Sequence, residues 1–125
     1  MRLLLDSHVV LWAASFPDEL NPRCRELLVD GANTVYVSSV SIWELRLKES
    51  IGKLRLTADF ESVLASLRFL ELPVNWAHAL RSARLPPLHQ DPFDRMLVAQ
   101  SLVEDLVLVT RDRKIQRYDC ALLRA

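Results

Sequence analysis

The sequence predicts an α/β fold, a mainly parallel sheet with helices on both faces. Two observations predict it. Short apolar runs alternate with amphipathic segments in the order βα(α)βααβααβ. The connections between those runs have helical length, which parallel neighbours require and hairpins do not. With no internal repeat and no linker, the 125 residues read as one domain, residues 1–125.

Arg2 to Leu5 is a short apolar run ending in Asp6, hence a strand; Val9, Val10, Leu11 and Trp12 continue at the density of a buried helix. Asn21-Pro22 supplies an N-cap followed by proline, and Cys24, Leu27 and Leu28 keep helical spacing until Gly31. Thr34 to Ser38, rich in β-branched and aromatic residues, is the second strand. Ser41 to Ser50 reads as a helix stopping near Gly52, and Thr57 to Leu67 as another, with Phe60, Val63, Leu64 and Leu67 on one face. Phe69 to Leu72 is a brief strand closed by Pro73, and Asn75 to Ala83 a short helix. Pro86-Pro87 makes the next segment a loop, Asp91-Pro92 opens a helix running to about Glu104, and Leu106 to Val109 is the last strand.

Bulk properties narrow the function. Half of the residues are hydrophobic and only two are glycine, a composition unlike disordered or low-complexity chains. Lys plus Arg and Asp plus Glu balance at 16 each, so a polyanion would have to be held by a local basic lining and not by a global field. Cys24 and Cys120 fit no metal or redox spacing and read as reduced thiols of a cytosolic protein. Met1 to Leu5 imitates the start of a signal peptide, but Asp6 and His8 break the run, and no stretch reaches the ~20 apolar residues of a membrane span. The expected location is the cytoplasm, with no membrane partner.

Four acids, Asp6, Glu44, Asp94 and Asp112, fall where strands end or helices begin. In a parallel sheet with crossover helices those positions share one edge, the edge where such folds place ligands. Oxygen-only donors there suit Mg²⁺ or Mn²⁺ and point to phosphate chemistry. Taken singly, each acid also has a structural reading. Asp6 can cap a helix, Ser41-Ile42-Trp43-Glu44 fits a capping box, Asp94 complements a helix dipole, and Asp112 can stabilise a turn. Those readings do not explain why all four should meet at one edge. Clustered carboxylates repel one another unless a cation neutralises them, so such a site is poorly stable when empty.

Four segments resemble the PIN-domain family, and within it the VapC-type toxins of toxin–antitoxin modules. Leu3-Leu4-Leu5-Asp6-Ser7-His8 is similar to the family's first strand and first acid, and Val40 to Glu44 to its second-acid segment. His89-Gln90-Asp91-Pro92-Phe93-Asp94-Arg95-Met96-Leu97-Val98-Ala99-Gln100 resembles the third-acid helix most specifically, and Leu108-Val109-Thr110-Arg111-Asp112 resembles the fourth. The resemblance implies a three-layer α/β/α sandwich and a Mg²⁺- or Mn²⁺-dependent endoribonuclease. Asp6 and Asp94 would be direct ligands, Glu44 a ligand through water or a proton acceptor, and Asp112 an outer or second-metal ligand. It also implies a VapB-like antitoxin partner, homodimerisation and an RNA substrate.

Around this set, Asp91 is a helix cap or a further acid on the same face, and Thr110 and Ser7 are supporting hydroxyls or turn formers. His8 and His89 flank site segments without a second ligand at spacing and read as structural; His78 has no partner visible in the sequence. RNA contacts would come from Arg111, Arg113, Lys114 and Arg117, or from Arg46, Lys48, Lys53 and Arg55, with Tyr118 as a base-stacking aromatic. Trp12, Trp43, Leu45, Leu47, Ile51, Leu54 and Leu56 exceed one narrow stripe, which fits either ordinary packing or a partner groove. Two rivals remain. A catalytically silent binding module would tolerate loss of an acid, and none is missing. A phosphoacceptor domain needs an acidic neighbour for the first acid, an aspartate after a central strand and a lysine after the last, and this chain lacks all of these.

Overall fold

The computed structural model describes residues 1–125. It is a three-layer α/β/α sandwich around five parallel strands, β1 (Arg2–Leu5), β2 (Thr34–Ser38), β3 (Leu70–Leu72), β4 (Val107–Thr110) and β5 (Leu122–Arg124), in the order β3-β2-β1-β4-β5. Six α-helices accompany them: α1 (Ser7–Ser15), α2 (Pro22–Val29), α3 (Ser39–Ser50), α4 (Phe60–Ser66), α5 (Trp76–Ala83) and α6 (Pro92–Val103).

The alternation of side chains along β1 divides the interior in two. Leu3 and Leu5 point to one side with Val35, Val37 and Val109, where Val9, Val10, Cys24, Leu28, Leu45, Phe60 and Leu64 cover them. Leu4 points to the other side with Leu108, under Leu97, Val98 and Ala99 of α6 and Leu85, Ile115 and Tyr118. Leu3, Leu4 and Leu5 are completely buried, as the central strand of a covered parallel sheet must be.

Several element boundaries differ from the sequence reading. Helix α3 begins at Ser39, capped by the Ser38 hydroxyl, which accepts from the Val40 N–H. Glu44 therefore lies in the second turn, and the expected Ser41–Glu44 capping box is not formed; Ser41 is buried and its hydroxyl has no hydrogen-bond partner. Helix α4 starts only at Phe60, because residues 57–59 form a turn before it. The last predicted strand is shifted one residue to Val107–Thr110. Strand β5 was not anticipated; at three residues and half-buried it is too short for a periodic signal.

In register, Leu5 lies beside both Val37 and Val109, so the residues just after them leave the sheet side by side at its carboxyl edge. These are Asp6, Ser38 and Thr110. No helix of the structure is long and apolar enough to cross a membrane.

Candidate metal centre

Asp6, Glu44, Asp94 and Asp112 line one open pocket of about 450 Å³ at this edge, together with Asp91, His8, His89, Lys48, Arg113 and Lys114 and no apolar side chain. A larger, more apolar hollow of about 560 Å³ lies elsewhere, between α2, α4 and the amino ends of β2 and β3. Size is therefore not what marks the acidic pocket; its donor chemistry is.

Asp6 is the N-cap of α1 and is almost fully buried. Its Oδ1 accepts the His8 N–H at 2.8 Å and its Oδ2 the Thr110 hydroxyl at 2.5 Å. Thr110 in turn accepts the Asp112 N–H at 3.0 Å, so one hydroxyl ties the first acid to the fourth. Asp112 uses Oδ1 to hold the N–H groups of Lys114 and Ile115, at 2.7 and 3.3 Å. Glu44 is 4% exposed and receives Lys48 Nζ on Oε2 at 2.8 Å, while Oε1 is buried without any hydrogen-bond partner.

Asp94 sits in the first turn of α6, behind the Asp91 cap that accepts the Phe93 and Asp94 N–H groups at 2.8 and 3.2 Å. The Asp91 carboxylate caps the helix and borders the pocket at once. Desolvation, then the charges of Asp91, Asp6, Glu44 and Asp112, pushes the Asp94 carboxyl up to about 8. Asp6 is also raised from its ordinary value, chiefly by burial, against the opposing hydrogen bonds of Thr110 and His8.

The donor set fits a hard divalent cation. It is made of carboxylate oxygens, one of them a buried orphan that a cation would satisfy, and its negative charges are costly to ionise together. His89, read from the sequence as structural, lines the pocket. Its Nε2 lies 2.8 Å from Asp94 Oδ2 and 3.8 Å from Asp112 Oδ2, and the ligand atoms of this trio fall within 4.8 Å of one another. The available signal was its position five residues before Asp94 in the chain's most specific segment.

The remaining residues separate cleanly. Arg113 and Lys114 stand exposed on the rim. Arg111 does not face the pocket: its guanidinium stacks 4.4 Å over Trp12 and donates to the Ala125 and Glu19 carbonyls. Arg117 is exposed and donates to the Leu88 carbonyl at 3.2 Å. In the second basic group, Arg46 is clamped between Glu49 and Glu61, and Lys48 alone reaches the acids. Tyr118 is buried with its hydroxyl engaged, so it offers no face to a base. Ser7 is buried and its hydroxyl unpaired. His78 has partners after all, the Asn75 N–H and the Glu104 carboxylate at 2.8 Å, and completes the α5 capping box.

Comparison with known proteins agrees with this fold. The chain is 26% identical to ribonuclease VapC22 of Mycobacterium tuberculosis over 119 residues, covering 93% of this chain and 91% of that one. Its fold is similar to VapBC2 of Rickettsia felis bound to a promoter DNA fragment (TM-score 0.75, 20% identity, 99% and 98% of the two chains). It is also similar to DNA-bound VapBC of Salmonella typhimurium (TM-score 0.69, 15% identity, 99% and 98%). The PIN domain family model matches residues 3–120, nearly the whole chain, and the protein therefore belongs to the PIN domain family.

Proposed function

We propose that this PIN domain, residues 1–125, is a Mg²⁺- or Mn²⁺-dependent endoribonuclease, the toxin half of a VapBC-type module. The observation that carries the reading is the convergence of Asp6, Glu44, Asp94 and Asp112 on one pocket, with Glu44 Oε1 buried and unpartnered. Likeness to a protein named a ribonuclease, and to toxin–antitoxin complexes, supports both the activity and the partner.

Asp6 and Asp94 would hold the cation directly, with Glu44 and Asp112 completing its surroundings. The bound ion would activate a water and offset charge on the phosphate oxygens. Glu44, whose Oε1 is buried without a hydrogen-bond partner, would ligate the ion through water or accept the proton of the attacking water. The Thr110 hydroxyl fixes Asp6, and Arg113 and Lys114 meet the RNA backbone from the rim. The protein works in the cytoplasm, binds a VapB-like antitoxin and forms a homodimer. The exposed Trp43 and Leu47 of α3, Ile51 just after it, and Trp76 and Leu80 of α5 supply apolar surface for such partners.

The purified chain should cleave RNA with Mg²⁺ or Mn²⁺ and stop when the ion is chelated. Asp6→Asn and Asp94→Asn should each abolish cleavage while leaving the circular dichroism spectrum unchanged. Equal cleavage by wild type and both variants would defeat the proposal.

A further inference from the structure

We infer that His89 is a positioning residue for this site: its imidazole holds one oxygen of Asp94 so that the other is presented to the cation. The inference rests on the metal-dependent reading above and assigns a role to a side chain that reading does not use.

Its ground is an asymmetry between the two ring nitrogens. Nδ1 faces the Asp91 backbone N–H at 3.4 Å, a group that can only donate, so Nδ1 is the accepting nitrogen and the proton resides on Nε2. Nε2 lies 2.8 Å from Asp94 Oδ2 and donates to it. A protonated Nε2 has no lone pair for a metal, although it lies within 4.8 Å of the Asp94 and Asp112 oxygens. The ring therefore orients a ligand and is not one itself.

The backbone that carries the imidazole is in turn fixed from behind. The His89 backbone N–H donates to the Tyr118 hydroxyl at 3.0 Å, and that hydroxyl donates to the Pro86 carbonyl at 3.0 Å. Arg95 donates to the same hydroxyl and to the Ser82 and Leu85 carbonyls, pinning the loop to α6. The other acids are anchored in the same manner: Asp6 by Thr110 and the His8 N–H, Glu44 by Lys48, Asp112 by two backbone N–H groups. His89 does this for Asp94. A ligand held by such a partner loses affinity for its ion when the partner is removed, typically by about 10- to 100-fold.

The test uses the purified full chain without RNA, titrated with Mn²⁺ in a calorimeter. His89→Leu should weaken Mn²⁺ binding by roughly 10- to 100-fold, whereas His89→Gln, which keeps an N–H donor, should bind close to wild type. Loss of affinity in His89→Gln equal to that in His89→Leu would make the histidine a direct ligand, and unchanged affinity in both would remove it from the site. Either result overturns the inference. A measurement independent of any variant is the ¹⁵N spectrum of the wild-type imidazole with saturating Mg²⁺. Nε2 should remain protonated, and a deprotonated, coordinating Nε2 would overturn the inference. Failure of the wild type to bind Mn²⁺ at all would instead overturn the metal-dependent function on which it stands.

Discussion

Asp94 carries the electrostatic cost of the site. Its carboxyl is raised from the ordinary 3.8 to about 8, so the folded protein holds a proton that the unfolded chain has already released. The sign follows: this group's contribution is fully present below about pH 4 and is lost as pH rises through about 8. Thermal unfolding of the metal-free protein should show its Tm falling over that interval from this group. Asp94→Asn should flatten the dependence, and saturating Mg²⁺ should restore the wild-type Tm near pH 8. On the proposed function the same substitution should also remove activity, so one residue would set apo-stability against function. Around it, legibility depended on how far each side chain's partners lie along the chain. Asp6 and Asp112 stand beside unmistakable strands and could be read locally. For Glu44 the competing structural reading fails, because α3 begins at Ser39 and not at Ser41 and no Ser41–Glu44 capping box forms. Arg111 could not be read, since Trp12, Glu19 and Ala125, which hold it, are remote in sequence.

At the level of elements, the amino end of α6 joins stability to function. Asp91 satisfies two otherwise unpaired N–H groups, one belonging to Asp94 itself. Asp91→Ala should cost about 1 kcal/mol in urea unfolding at low pH, where charge repulsion within the pocket is relieved. Near neutral pH the loss should shrink, because the substitution also removes a charge that raises Asp94. A loss independent of pH would mean that Asp91 acts as a cap alone. Helix α6 was plain from Asp91-Pro92 and its long apolar run, as were β1 and β2. Strand β5 was not, because its only strand neighbour is β4 and its three residues lack a pattern of their own.

For the whole molecule, the parallel sheet matters because its register brings the ends of β1, β2 and β4 together. The core that enforces this register is tightest at β1, where Leu3, Leu4 and Leu5 are solvent-free. Leu4→Ala should destabilise the protein by roughly 2–5 kcal/mol, while Leu47→Ala on the exposed side of α3 should stay within about 0.5 kcal/mol. Denaturant midpoints would check both. The sequence carried the layer order and the convergence of acids, since both follow from alternating strands and crossovers. It did not carry the His89–Tyr118–Arg95 network, which exists only once the loop after α5 folds over α6.

Anomalous diffraction from a crystal soaked in Mn²⁺ tests the central claim most directly. The account predicts a single or paired Mn²⁺ peak among Asp6, Glu44, Asp94 and Asp112, with carboxylate oxygens of Asp6 and Asp94 at bonding distance. Manganese elsewhere on the surface and none among these acids would contradict it.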